Sequence, residues 1–368
     1  MFLSNSILRQ TRLRQGAVAQ EKGRDMTQSP MTDLTADILT GLPFAALLVG
    51  VDERIVAVNA AAQALFGQAI QGRHHGIALR QPDVLEAIAA ALTRSKSRVV
   101  RQVLGAQAQE VVHRVTVSAI GAGALCLFQD VSDQEQSEQM RRDFVANVSH
   151  ELRTPLTSVL GFIETLRGPA REDAAARDRF LAIMAKEAER MNRLVSDLLQ
   201  LSRVEAQERQ RPTTRQDLSR LVHLAVQNIR PQAELAGVEL VLEGLDQPVA
   251  IYADADQITQ VVTNLVENAI KYGASGKWVR LRLTHEDSVR GRQVRLEVAD
   301  RGEGIDPVHL PRLAERFYRI DGHRSRDKGG TGLGLAIVKH IAQRHRGRLV
   351  VESQLGQGTR FSVILPVD

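Results

Sequence analysis

The chain has 368 residues, a formal net charge of +5, 43% apolar residues and 25% charged residues. These values are typical of a globular protein with two or three domains, and they exclude a fibrous or wholly disordered chain. Aromatic residues make up only 4%, which argues against base stacking, so we expect no direct DNA binding. The single cysteine, Cys126, excludes an intrachain disulfide and favours a reduced, cytoplasmic setting. No apolar run approaches the ~18 residues that a membrane helix needs.

The N-terminal third is predicted to be a tail followed by a small domain. Residues 1–33 are basic and lack a sustained apolar stretch, so we predict a disordered tail. Residues 34–131 alternate short apolar runs with turns, which predicts a small α+β domain. A short helix is predicted at residues 60–66. Strands are predicted at residues 47–51, 55–59, 98–104, 111–120 and 124–129.

The order of elements in this small domain has a counterpart among signalling proteins. Its strand–turn–strand–helix opening from Leu48 to Phe66, and its ending from Phe128 to Ser132, resemble PAS sensor domains. The resemblance implies a PAS-like sensor over residues 34–131. Its signal stays open between a soluble cue and a membrane-bound or transporter partner.

Residues 132–206 have helical periodicity, and we predict a helical hairpin. The predicted helices run from about 139 to 166 and from about 174 to 204, and Gly168 with Pro169 ends the first. The polar stretch 207–215 is predicted to be a linker.

Both predicted helices carry an apolar stripe with spacings of three and four, which is typical of helices that pack along a seam. Two helices cannot enclose two such stripes, so we predict a homodimer in which two hairpins form a four-helix bundle. The stripe residues are Val145, Val148, Leu152, Leu156, Val159, Ile163 and Leu166, then Phe180, Met184, Met191, Leu194, Leu198 and Leu201.

His150 lies roughly opposite the stripe of the first helix, so we expect its side chain to face water. Glu151 follows it directly, and Thr154 lies one turn further on the same face as His150. Pro155 lies inside the helix, where it removes a backbone hydrogen bond and frees a carbonyl. An exposed histidine beside a loosened turn is a candidate site for chemistry.

Residues 216–368 alternate helices and strands, which predicts an α/β domain. Asp254 is a plausible N-cap for a helix in this domain. Carboxamide oxygens on that helix are suitable ligands for Mg²⁺, which binds phosphates alongside. Four polar residues are spaced to share one face of it: Asn264, Asn268, Lys271 and Tyr272.

Two glycine-containing turns follow in the same domain. Asp300 ends a predicted strand over residues 294–299 and precedes Gly302 and Gly304, so its carboxylate can accept from an adenine amino group beside a close backbone. A second turn opens an apolar helix, where backbone N–H groups form an anion site. The second turn lacks the Gly-Lys-Ser/Thr ending of a P-loop. Its residues are Gly330, Thr331, Gly332, Leu333 and Gly334.

The run from Phe144 to Thr157 resembles the H-box of sensor histidine kinases. The later motifs, in their order, resemble the N, G1, F and G2 boxes of the histidine-kinase ATP-binding domain. That domain is an α/β sandwich of the Bergerat type, shared with Hsp90, DNA gyrase and MutL. The resemblance covers about residues 138–366. It implies a multidomain α+β protein with a sensor, a dimerisation hairpin and an ATP-binding catalytic domain.

This resemblance implies roles for the hairpin residues. His150 would accept a phosphoryl group from ATP on a ring nitrogen, and Glu151 would act as the general base. The phosphoryl group would then pass to an aspartate of a response regulator, a receiver domain of the OmpR/PhoB-like kind. Thr154 would orient the water that dephosphorylates this regulator.

ATP and Mg²⁺ are the cofactors that the resemblance implies. Asn264 and Asn268 would hold Mg²⁺ and the phosphates, with Lys271 and Tyr272 adjoining. Asp300 would bind adenine. Residues from about 306 to 331 would form a mobile lid, in which Arg319 contacts the terminal phosphate. Further lid cations would supply a general positive field: Arg316, Arg324, Arg326 and Lys328.

A finer resemblance concerns the signal, and alternatives concern the reaction. The segments from Phe317 to Asp321 and from Gly329 to His340 look most like those of phosphate-regulon sensor kinases, which implies phosphate-starvation signalling. One alternative reaction is ATP hydrolysis by an enzyme related to Hsp90 and gyrase. Glu267 is rotated by ~100° from the position that such an enzyme needs for its water-activating glutamate. The other alternative is a scaffold without histidine phosphorylation.

Overall fold

The structure is a computed structural model that describes residues 37–105, 110–288, 291–320 and 330–367. The predicted tail at residues 1–33 lies outside this range. The chain divides into two compact units, residues 1–141 and residues 142–368. Among the described residues, no helix is both long enough and apolar enough to cross a membrane.

The first unit is built on a five-stranded antiparallel sheet with the strand order β2-β1-β5-β4-β3. Its strands are β1 Ala45–Val49, β2 Ile55–Val58, β3 Arg98–Leu104, β4 Val111–Ile120 and β5 Gly123–Asp130. Its helices are α1 Ala60–Phe66, α2 His75–Ala78 and α3 Pro82–Arg94. Each predicted strand of this unit is present, and α3 was not predicted.

The sheet and α3 enclose a core that includes Val84, Ile88, Cys126 and Phe128. Burial raises the pKa of the Cys126 thiol to about 12, so this thiol stays protonated near neutral pH.

The hairpin consists of two long helices, α4 Ser132–Arg167 and α5 Ala174–Gln207. Asp173 caps α5, because its carboxylate accepts from the Ala176 N–H at 2.9 Å. The helix α4 begins two residues after β5, seven residues earlier than predicted. Strand β3 contacts this early part through Arg101, whose guanidinium donates to both carboxylate oxygens of Glu135 at 3.0 to 3.1 Å.

The C-terminal part of the second unit is an α/β sandwich. One sheet has the order β11-β12-β10-β9-β7, with β7 and β9 parallel and the other pairs antiparallel, and β6 pairs with β8 separately. The strands are β6 Arg215–Asp217, β7 Glu239–Glu243, β8 Ala250–Tyr252, β9 Trp278–Ser288, β10 Gly291–Asp300, β11 Arg348–Gln354 and β12 Gly358–Pro366. The helices are α6 Leu218–Leu235, α7 Ala255–Gly273 and α8 Gly334–Arg344, with a 3-10 helix at Pro307–Arg312.

The end of α5 packs onto this sandwich and shares its core. Leu194, Leu201 and Val204 are buried in one hydrophobic cluster with residues of α6, α7 and α8. The expectation that a second chain covers the whole stripe of α5 is therefore wrong for Leu194 and Leu201. Periodicity identifies a buried face but does not identify what covers it.

An apolar stripe of the hairpin stays exposed in the single chain. On α4 it includes three members of the predicted stripe, Val145, Leu156 and Ile163, whereas on α5 it is rotated by about one residue, or ~100°, from the predicted stripe. Its members are Val145, Leu156, Leu160 and Ile163 on α4, and Leu181, Val195 and Leu199 on α5.

Candidate active site

His150 lies on α4 with its side chain exposed, as predicted. One turn further, the Thr154 hydroxyl donates to the His150 carbonyl at 3.1 Å. Pro155 is buried inside α4 and has no N–H to donate to the carbonyl of Glu151. The helix therefore presents an accessible imidazole beside a turn with a reduced hydrogen-bond ladder.

The Glu151 carboxylate joins three parts of the second unit. Its Oε2 accepts from Arg190 Nη2 on α5 at 2.8 Å. The same oxygen lies 3.6 Å from Arg319 Nη1, which comes from the segment after the 3-10 helix. The Arg190 and Arg319 side chains are only 13% and 9% exposed. The sequence predicts a phosphate contact for Arg319, whereas in the structure Arg319 lies against Glu151, the residue after His150.

The four predicted residues of α7 have different surroundings. Both polar atoms of the Asn264 amide have protein partners: Oδ1 accepts from Gln260 at 2.8 Å, and Nδ2 donates to the Gly334 carbonyl at 3.2 Å. Lys271 Nζ lies 3.7 Å from Glu267. Tyr272 is largely exposed. Asn268 is half-buried, and its amide makes no hydrogen bond within the described ranges.

Asp300 ends β10 in a tightly packed turn. Its Oδ1 accepts from the Gly302 N–H at 2.8 Å. A Cβ on Gly273 would lie 2.4 Å from the Asp300 Cβ, and a Cβ on Gly302 would lie 2.7 Å from the Tyr272 carbonyl oxygen, so side chains are excluded at both positions. Burial raises the pKa of Asp300 above its ordinary value, and hydrogen bonds from Gly302 and Thr359 oppose the rise.

Gly304 is required by the same turn. Its φ of +72° is the left-handed conformation, and a Cβ there would lie 2.1 Å from the Gln354 carbonyl oxygen. The tight packing of this turn therefore requires glycine at these positions.

The second glycine turn leads into α8, as predicted. Gly332 has a φ of +74°, Leu333 is fully buried, and Gly334 is the first residue of α8. The Thr331 hydroxyl donates to Asp197 Oδ2 on α5 at 2.7 Å. Burial raises the pKa of Asp197, and this hydrogen bond opposes the rise. The hydroxyl of Thr331, a predicted nucleotide-binding residue, is thus hydrogen-bonded to a carboxylate of the hairpin.

The structure describes residues 306–320 and 330–331 of the predicted lid. It contains Phe317, whose ring lies 5.8 Å from that of Phe144 on α4, and Arg316, which lies 2.8 Å from Glu205 on α5. Arg316 thus makes a specific contact with the hairpin. The predicted lid cations Arg324, Arg326 and Lys328 lie outside the described residues, as does Gly329, whereas Gly330 is described.

Three residues with notable contacts in the structure received no role from the sequence: Arg190, Asp197 and His345. Asp197 carries a usable signal, because it lies between Leu194 and Leu201 on a buried helical face, where an unpaired carboxylate is rare. Arg190 and His345 offer no such signal, since their partners are distant in sequence.

His345 fixes the start of α7 from the end of α8. Its Nδ1–H donates to the Ile341 carbonyl at 2.8 Å, and its Nε2 accepts from the Asp254 N–H at 3.1 Å. The Asp254 carboxylate accepts from Gln257 N–H, as expected of an N-cap, and pairs with Arg344 at 3.0 Å. Burial lowers the pKa of His345, which matches the neutral ring that these hydrogen bonds require.

Comparison with known families assigns both parts of this site. Residues 140–207 match the His Kinase A (phospho-acceptor) domain. Residues 253–368 match the family described as histidine kinase-, DNA gyrase B-, and HSP90-like ATPase. Over these residues the chain belongs to the histidine kinases.

Curated relatives carry the name WalK. The sensor protein kinase WalK of Staphylococcus saprophyticus subsp. saprophyticus is 38% identical over 246 residues, which is 67% of this chain and 40% of that protein. The sensor histidine kinase WalK of Bacillus subtilis is 38% identical over 244 residues, 66% of this chain and 39% of that protein. The chain therefore spans about 40% of the length of these relatives. They give no support to the finer resemblance to phosphate-regulon sensor kinases.

Two solved structures of histidine kinases match this chain with TM-scores below 0.5. Histidine kinase ThkA in complex with response regulator protein TrrA is 21% identical, covers 90% of this chain and 98% of ThkA, and has a TM-score of 0.47. Full-length ShkA in complex with AMPPNP is 29% identical, covers 61% of this chain and 46% of ShkA, and has a TM-score of 0.45.

We predict that His345 makes the stability of the ATPase domain pH-dependent. Its pKa is lowered in the folded protein, so the unfolded chain binds the proton first, near pH ~6.5. Its contribution is complete above that pH and is lost as the pH falls below it. Urea unfolding at pH 7.5 and pH ~5.5 measures the change.

Two variants separate this effect from the titration of carboxylates. His345→Gln should be less stable at pH 7.5 and should lose less stability on acidification than the wild type. His223→Gln is the matched control, because His223 makes the same ring contact with a carbonyl four residues earlier but is exposed. Equal acid sensitivity in the wild type and in His345→Gln would contradict the assignment.

Proposed function

We propose that this chain transfers the γ-phosphoryl group of ATP to His150. The observation that supports it best is the Glu151 carboxylate, which follows His150 directly and lies beside Arg319 of the ATP-binding side. His150 and the predicted nucleotide-binding residues belong to the same compact unit, residues 142–368. The matched phospho-acceptor and ATPase families agree with this reaction.

The proposed transfer needs a neutral imidazole and a proton acceptor. One ring nitrogen of His150 attacks the γ-phosphorus through its lone pair, the N–P bond forms, and the bond from the γ-phosphorus to the bridging oxygen breaks to release ADP. Glu151 accepts the proton from the other ring nitrogen. Catalysis then consists mainly of positioning and charge neutralisation.

The nucleotide would bind between α7, the Asp300 turn and the start of α8. Asp300 would accept from the adenine amino group, and Gly302 and Gly304 leave room for a flat base. The N–H groups of Gly332, Leu333 and Gly334 would face phosphate oxygens. Asp300 must be ionised for this role, and the elevated pKa predicts that ATP binding weakens at a higher pH than for an exposed aspartate.

Of the two asparagines on α7, Asn268 is the better candidate ligand for Mg²⁺. Its carboxamide makes no hydrogen bond within the described residues, whereas the Asn264 oxygen already accepts from Gln260. We therefore propose Asn268 as the principal protein ligand and Asn264 as the residue that fixes α7 to the Gly334 turn. Bound Mg²⁺ would supply charge neutralisation of the phosphates.

Arg319 and Thr331 would change partners when nucleotide binds. Arg319 lies beside Glu151, and Thr331 donates to Asp197. Glu151 and Asp197 of the hairpin thus contact two residues that are predicted to bind ATP. A phosphate offers the same anionic chemistry to both groups, so nucleotide binding would compete with these two hairpin contacts.

The proposed phosphoryl acceptor in the second step is an aspartate of a response regulator. ThkA was solved in complex with such a protein, TrrA. For this chain, a receiver domain of the OmpR/PhoB-like kind remains our proposal. Phosphate starvation as the signal has no support among the relatives, so we propose no particular signal.

The first unit is proposed to be a PAS-like sensor over residues 34–131. The support is its five-stranded antiparallel sheet with the order β2-β1-β5-β4-β3 and helices between β2 and β3. After this domain we propose a dimerisation hairpin over residues 132–206, a linker over 207–215 and a catalytic domain over 216–368. The contact between Arg101 and Glu135 links the sensor sheet to the start of α4.

The exposed stripe on α4 and α5 supports a homodimer. It contains large side chains such as Leu160 and Leu199, which are 53% and 55% exposed in the single chain. A contiguous apolar surface of this kind is typical of a protein interface. A second hairpin would cover it and complete a four-helix bundle.

The first prediction concerns the phosphorylated residue. Incubation with [γ-³²P]ATP and Mg²⁺ should label the wild type, and the label should be stable in base and labile in acid. His150→Gln should bind ATP normally and remain unlabelled. Phosphate release without labelled protein would favour the ATPase alternative, and ATP binding without either product would favour the scaffold.

The second prediction concerns Thr154. A panel of receiver domains, added to labelled kinase, identifies the regulator that removes label fastest. Thr154→Ala should then keep at least half of the labelling rate and lose most of the phosphatase activity on that regulator. Thr157→Ala is the control one turn away. Equal loss of both activities in Thr154→Ala would show that Thr154 only supports the helix.

The third prediction concerns the dimer. Leu160→Glu places a charge in the exposed stripe and should convert the dimer to a monomer in sedimentation velocity at micromolar concentration, because burial of an unpaired charge is costly. Leu235→Glu is the control, since Leu235 is 91% exposed at the end of α6. A wild-type chain that sediments as a folded monomer at this concentration would contradict the proposal.

A further inference from the structure

We propose that Arg190 is the positioning residue that holds Glu151 in the orientation needed to accept the His150 proton. The proposal rests on the function proposed above and assigns a third member to the proton-accepting group. Arg190 lies 39 positions from Glu151 along the chain and on the other helix of the hairpin.

The contact has the geometry of a strong, charge-assisted hydrogen bond. Arg190 Nη2 donates to Glu151 Oε2 at 2.8 Å, and both side chains are largely shielded from water, at 13% and 26% exposure. Shielded pairs are screened less than surface pairs. The guanidinium is therefore able to hold one carboxylate orientation.

Arg190 also has an acidic neighbour on its own helix. Glu187 lies one turn earlier on α5, with its Oε2 3.7 Å from Arg190 Nη1. One guanidinium nitrogen thus faces Glu187 and the other faces Glu151. The two contacts define a row from α5 to α4, and this row reaches the residue next to His150.

The row leaves one oxygen of Glu151 available. Arg190 engages Oε2, and within the described residues Oε1 makes no hydrogen bond. A general base must be oriented by a third group, as in other nucleophile–base pairs. Arg190 fills that role because it fixes the carboxylate through the oxygen that does not need to face the imidazole.

Arg319 is a weaker candidate for this role. Its Nη1 lies 3.6 Å from Oε2, beyond hydrogen-bond distance. It also comes from the segment that begins the predicted lid, whereas Arg190 comes from the same hairpin as Glu151. The hairpin therefore carries its own orienting group, independent of where the ATP-binding domain stands.

The test measures labelling of the full chain at several ATP concentrations. Arg190→Gln should lower the maximal labelling rate about tenfold, a part of the 10²–10⁴-fold that a general base contributes. The ATP concentration for half-maximal rate should change less than about twofold, since Arg190 does not touch the nucleotide site. Arg190→Lys should recover part of the rate, because an ammonium keeps the charge but lacks the planar fork.

A double-substitution cycle gives the decisive comparison. In a Glu151→Gln background, Arg190→Gln should lower the rate less than about twofold further, because the group that it orients is already absent. Lys186→Gln is the matched control: it removes one positive charge one turn earlier on α5, from an exposed side chain. It should label at the wild-type rate.

The outcomes separate this proposal from the function on which it rests. A wild type that is not labelled would refute histidine phosphorylation itself. A labelled wild type with equal rates in Arg190→Gln would refute the role of Arg190. A full additional loss in the Glu151→Gln background would assign Arg190 a structural role and also refute the proposal. If Arg190→Gln does not fold, Arg190→Lys decides alone, and an unchanged rate in it overturns the assignment.

Discussion

The burial of the α5 end against the ATP-binding sandwich is the interaction on which the candidate site depends. Leu194, Leu201 and Val204 lie in the same hydrophobic cluster as the core of that domain. Each such side chain contributes about 1.5–3 kcal/mol on burial, whereas a partly exposed ion pair contributes about 0–1 kcal/mol. The apolar contact therefore holds the hairpin against the domain, and the ion pairs select which residues meet.

This docking brings carboxylates of the hairpin to the nucleotide side. Glu151 and Asp197 contact Arg319 and Thr331, two residues assigned to ATP. Asp197 is half-buried there, and desolvation raises its pKa, which reflects the cost of keeping an anion in that place. Anions of the protein thus stand where anions of the nucleotide are expected. In the proposed function, ATP would therefore compete with these hairpin contacts.

Much of this arrangement could be predicted from the sequence, because it depends on local pattern. Exposure of His150 followed from helical geometry, and the start of α8 at the second glycine turn followed from the position of its glycines. The partners of the α5 stripe could not be predicted. Periodicity shows that a helix face is apolar, but it does not identify the element that packs against it. Arg190 was missed for a related reason: its partner is 39 positions away, and no local pattern joins two helices in register.

The role that the motif predicts for Arg319 and the contact that Arg319 makes in the structure are different but compatible. The resemblance assigned it to a phosphate, and the structure sets it beside a carboxylate. A guanidinium recognises both anions through the same N–H groups, so the residue type predicts the chemistry of the partner but not its identity. Which anion it binds depends on the occupancy of the site and on the docking of α5. In the proposed function, Arg319 would contact Glu151 without nucleotide and the terminal phosphate with it, and sequence alone carries no information on the balance between the two contacts.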